Sequence, residues 1–80
     1  MIDNEQVEYI KTGIFACATH LRSANNSVVK SVREQALNNA LYAYAAVTAH
    51  LTVLRSSDRS LLEEWVHYLG SELRESFSKQ

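Results

Sequence analysis

Residues 35–54 contain no Asp, Glu, Lys or Arg, and neither Gly nor Pro interrupts them. An uncharged stretch of about twenty residues is long enough to cross a membrane. Gln35, Asn38, Asn39, Thr48, His50 and Thr52 lie inside it, however, and the longest unbroken apolar run is only residues 40–47. The stretch therefore reads as a buried helix of a globular chain. A helix that is apolar all round must be covered all round, so this segment constrains the architecture more than any other.

The rest of the composition supports an all-α fold. Among 80 residues there is no Pro, and the only glycines are Gly13 and Gly70. An all-β chain of this size needs more turn formers. Hydrophobic residues make up 46%, enough for a folded core, and the length allows one domain spanning 1–80. Lys and Arg number 8 and Asp and Glu 9, for a net charge of −1. Such balance argues against a basic nucleic-acid binder of the usual kind and against an acidic DNA mimic. The acidic first residues lack the basic flank of a secretory signal. With the lone Cys17, this points to a cytoplasmic chain with no disulfide framework.

Three helices are expected, at about 4–22, 27–55 and 58–78. Asp3 with Gln6 offers a capping box for the first, and Ile2 with Val7 a hydrophobic staple. Asp3, Glu5 and Glu8 suit the positive end of its dipole. Val7, Ile10, Ile14, Cys17 and Leu21 recur at spacings of 3 and 4, the rhythm of a helix packed on a helix. Residues 23–27 form the first break. The second helix starts near Asn26 or Ser27, or at Ser31 if Ser31 and Glu34 form a capping box. Leu37, Leu41, Tyr44, Val47, Leu51 and Leu54 define its leading face, and Tyr42 and Tyr44 are expected to pack. Residues 55–60 form the second break, with Ser57 or Asp58, or Ser60 with Glu63, as caps. Leu62, Val66, Leu69, Leu73 and Phe77 form the stripe of the third helix. Glu75 and Lys79 make an i,i+4 pair.

Short connections imply a three-helix antiparallel arrangement with a long central helix. That register places Gly13 against Ala36 and Gly70 against Tyr44. It also sets His50 near His67. Two neighbours cannot cover the whole circumference of the second helix. The remaining faces, Ala36, Ala40, Ala43 and Val47 with Tyr42, Ala46, Ala49 and Val53, are therefore assigned to a homodimer interface that completes a helical bundle.

Chemical sites are sparse. Cys17 and His20 share a helix face, but zinc needs two further ligands, and Cys17 fills the apolar stripe. Glu63 and Glu64 point in different directions, and no phosphate loop, nucleophile elbow or H-E-x-x-H is present. Neither enzymatic activity nor a cofactor or metal is expected. Leu61, Trp65 and Tyr68 flank the third stripe. Large aromatics are mostly buried, which favours a core edge for Trp65, but such clusters also anchor partners. The sequence thus reads as a non-enzymatic protein–protein interaction module. One form is a small homodimeric regulator or inhibitor of a larger protein, such as a phage or mobile-element accessory protein. Two alternatives stand beside it: a dimeric nucleic-acid binder using Lys11, Arg22, Lys30 and Arg33, and a structural subunit of a larger assembly. No membrane partner is expected.

Overall fold

A computed structural model describes residues 2–55 and 57–79, and side chains from residue 5 onward. It contains three helices: α1 (Ile2–Asn26), α2 (Lys30–Val53) and α3 (Arg59–Ser78). The molecule measures 43 × 18 × 16 Å. At 1.5 Å per residue, α1 and α2 each run about 36 Å, nearly the whole length.

The apolar rhythm of α1 does what its spacing requires. Val7, Ile10, Ile14, Cys17 and Leu21 are all buried, and Ala24 extends the stripe by one turn. From α2 the core takes Ala36, Leu37, Ala40, Val47 and Leu51, and Leu54 just beyond the helix end. From α3 it takes Leu62, Val66, Leu69 and Leu73. Tyr44 and Ala43 pack against its edge. Gly70 meets Tyr44 as expected: a Cβ built there lies 2.6 Å from the tyrosine hydroxyl.

The helix ends depart from the sequence reading. Backbone of α1 is helical from Ile2, so Asp3 falls inside the first turn. The Asp3–Gln6 box and the Ile2–Val7 staple rest on side chains outside those described. At the other end α1 runs on to Asn26, and only residues 27–29 separate it from α2. Val29 occupies the N-cap of α2 in an extended conformation with no side-chain cap, so Ser31 and Glu34 form no capping box. Glu34 instead lies 4.0 Å from Lys30, and Glu63 lies 3.5 Å from Arg59 rather than reaching back to cap α3. α3 is already helical at Arg59, which puts Ser60 inside its first turn.

The two connections share a device. Arg33, in the first turn of α2, donates to the Ser27 carbonyl at 3.4 Å. Arg59, at the start of α3, donates to the Leu54 carbonyl at 3.2 Å. Each guanidinium satisfies a carbonyl left over where the preceding helix stops, the role a left-handed glycine often helps to fill. Both glycines lie inside helices, and no described residue has a positive φ. Ser27 adds a local bond, its hydroxyl accepting from the Val29 amide at 3.2 Å.

The later first break shifts the register. Gly13 faces Val47, not Ala36. Tyr9 packs against His50 with ring centroids 4.3 Å apart and planes tilted by 45°, so the imidazole of His50 has an aromatic neighbour from α1. Two stripe assignments also change. Leu41 is 46% exposed and leaves the leading face of α2. On α3, Ser76 is buried in the place expected for Phe77, donating to Asn25 Oδ1 at 3.2 Å, while Phe77 stands at the surface. Among the described residues, the ion pairs Glu8–Lys11, Lys30–Glu34 and Arg59–Glu63 each lie within one helix, and Glu75–Lys79 spans the C-terminal end of α3.

Candidate interaction surfaces

Two exposed apolar surfaces result from this packing. The first is the groove between α1 and α3. Because Ile14 and Leu69 turn inward, the next positions round each helix line its walls. Ile14, Ala18, Trp65, Tyr68 and Leu69 enclose a hollow of about 280 Å³. Trp65 is 48% exposed and Tyr68 63% exposed. The expectation that Trp65 closes a core edge is therefore corrected. Ala18 is too small to cover the indole, and one of its sides stays open. Leu61 stands one turn before Trp65 and is also exposed. Phe15, next to Ile14 on α1, is 74% exposed and was missed in the sequence reading. Its signal was available: an aromatic one residue off a 3–4 stripe points away from the core. Farther along, Arg22 and Asn25 on α1 and Tyr68 and Glu72 on α3 continue the groove with polar walls.

The second surface is the outer side of α2. The residues assigned to a dimer interface divide into two sets. Ala36, Ala40 and Val47 are buried within the chain's own core, and Ala43 packs against it, so these four are not open to a second chain. The reason is the length of α1, which lies along this face of α2. Of the other four, Tyr42, Ala49 and Val53 are exposed and Ala46 is half-buried at the margin. Tyr42, expected to pack, is 77% exposed. It shares a shallow shelf with Gln35, Asn38, Leu41 and Ala45.

The remaining candidates do not converge. Among the described residues no three His, Cys, Asp or Glu side chains gather as a metal site. His20 lies in a small hollow with Ser23, Ser31, Gln35 and Asn39. Of the four basic residues, Lys11 pairs with Glu8 at 3.7 Å and Lys30 with Glu34, while Arg33 is held at the Ser27 carbonyl. Lys11 and Arg22 stand about three helical turns apart on α1. No described helix is long and apolar enough to cross a membrane.

Cys17 is fully buried, and desolvation pushes its thiol from 9.0 up to about 11. Burial disfavours the thiolate, so the neutral thiol's contribution to stability is complete below pH 9. It is lost as pH rises toward 11. A thiol reagent at pH 8 should leave the folded chain unlabelled and react fully once urea unfolds it. Rapid labelling without urea would show that the core around Cys17 is open.

No protein-family model matches the chain, and neither the curated proteins nor the solved structures compared with it give a match.

Proposed function

We propose that this chain is a non-enzymatic, cytoplasmic interaction module of antiparallel helices. It works as a homodimeric regulator or inhibitor that grips an amphipathic helix of a larger protein in the α1–α3 groove. The observation that carries the reading is the half-exposed Trp65 beside an apolar hollow that Tyr68 also lines, with Leu61 exposed one turn before it on α3. Indole and phenol rings supply large contact area at low entropic cost, and they recur as binding anchors. An amphipathic helix laid in such a groove presents apolar residues at spacings of 3 and 4.

Charge narrows the partner further. Tyr68 has Glu64 one turn before it and Glu72 one turn after it, so the α3 wall is acidic. The favoured guest is thus a helix whose apolar stripe is bordered by Lys or Arg on the α3 side. Binding would act by occluding the surface that helix normally offers.

A random peptide library selected against the purified chain tests this. Enriched peptides should share the 3–4 apolar spacing with a basic flank. Titrating one of them should shift Trp65 emission to shorter wavelength as the indole loses water. Trp65→Ala should weaken binding about thirtyfold, the scale of a 2 kcal/mol anchor. An unmoved emission, or affinity indifferent to that substitution, would show that the groove is not the site.

A further inference from the structure

From residue 38 to residue 53 the outer face of α2 is uncharged. It consists of Asn38, Leu41, Tyr42, Ala45, Ala49 and Val53, with Thr52 between them. The threonine hydroxyls of this part of the helix are spent within it: Thr52 donates to the Thr48 carbonyl at 2.8 Å and Thr48 to the Ala45 carbonyl at 2.9 Å. We propose that this face is covered by the same face of a second copy, the two α2 helices running head to tail about a two-fold axis at Ala45. This rests on the self-association proposed above and assigns it a seam.

Two arguments favour a second copy over an unrelated chain. The first is shape. The stripe is bulky on one side of Ala45, at Leu41 and Tyr42, and small at the matching position on the other, Ala49, with Thr52 and Val53 farther out at the helix end. Head-to-tail pairing lays the bulky half of each copy on the small half of the other. The alanine at the axis lets the helices approach to about 8 Å. A parallel pairing would stack Tyr42 on Tyr42 and leave a gap at Ala49. The second is charge. Glu34 flanks the stripe at one end and Arg55 at the other, both exposed. Head-to-tail pairing sets Glu34 opposite Arg55 of the second copy twice, whereas parallel pairing opposes like charges. The long, exposed contact of Glu34 with Lys30 is too weak to compete strongly.

Sedimentation equilibrium of the full chain, combined with single-cysteine crosslinking, tests the seam. Cys17 is buried and stays out of the reaction. The substituted positions are exposed, so the fold tolerates them. A mass twice 9.0 kDa is expected. Ala45→Cys should crosslink to itself under mild oxidation, since a disulfide needs Cα atoms within about 7 Å. Tyr42→Cys or Ala49→Cys alone should not, but a mixture of the two should. Ala45→Arg should return the mass to that of one chain while leaving helicity unchanged. Self-crosslinking of Tyr42→Cys and of Ala49→Cys would overturn the head-to-tail seam in favour of a parallel one. A double mass with no crosslink at any of these positions, or one that survives Ala45→Arg, would place the interface elsewhere. Either result leaves self-association standing. A single mass at every concentration, with no crosslink, overturns both.

Discussion

Truncating Leu37 to alanine is expected to cost about 3 kcal/mol, within the usual range for a buried leucine. The same truncation at Leu41, one turn along the same helix, is expected to cost less than about 1 kcal/mol. Leu37 is 1% exposed and belongs to the core; Leu41 looks outward. A chain of 80 residues commonly has only about 4–12 kcal/mol of stability, so the first substitution removes a large share of the total and the second does not. Urea denaturation followed by circular dichroism measures both. The protein should be dilute enough to hold the single-chain state, because association adds its own stabilisation. Equal losses at the two positions would mean that α2 is rotated from the orientation described.

The two glycines are expected to respond oppositely to alanine. A methyl group at Gly13 would overlap Cγ2 of Val47, a stiff, β-branched side chain in the core. Overpacking of this kind costs about 1–3 kcal/mol, while replacing a mid-helix glycine returns about 1 kcal/mol of helix propensity. Gly13→Ala should therefore lose about 1–2 kcal/mol net, and the loss should shrink in the double variant Gly13→Ala with Val47→Ala. At Gly70 the obstacle is the outer end of the half-buried Tyr44 ring, its hydroxyl at 2.6 Å and Cζ at 3.1 Å, the far end of a side chain that a small rotation can move. Gly70→Ala should be neutral or stabilising by up to about 1 kcal/mol. The same urea midpoints decide it. Destabilisation at Gly70 matching that at Gly13 would show that Tyr44 is locked.

Much of the architecture was legible because apolar spacing is a strong signal in long helices. Every stripe residue of α1 is buried, as are four of the five on α3. Helix ends were not legible. Capping patterns at Ser31 and Ser60 proved to lie inside helices, because the ends are closed by arginines reaching back to carbonyls, a contact that no local pattern announces. The register between α1 and α2 depended on the first break. Moving the break by about three residues shifts the facing residue by about six, which accounts for part of the change from Ala36 to Val47 opposite Gly13. Which faces of α2 are free could not be read from an uncharged stretch, since alanine suits core and surface alike. Position relative to α1 decided it, burying Ala36 and Ala40 and leaving Ala45 and Ala49 outside.

Among the described residues, the ion pairs Glu8–Lys11, Lys30–Glu34 and Arg59–Glu63 each begin and end on one helix, and Glu75–Lys79 spans the end of α3. Between helices a side-chain hydrogen bond, Ser76 to Asn25, accompanies two notches: the one at Gly13 takes a valine methyl, and the one at Gly70 takes a phenol. Mutual alignment is thus keyed largely by shape, as in a lock whose wards are hollows rather than magnets. Outward charges can then be rewritten with little risk to the bundle, and partner choice on the groove walls can drift while the frame that presents them stays the same.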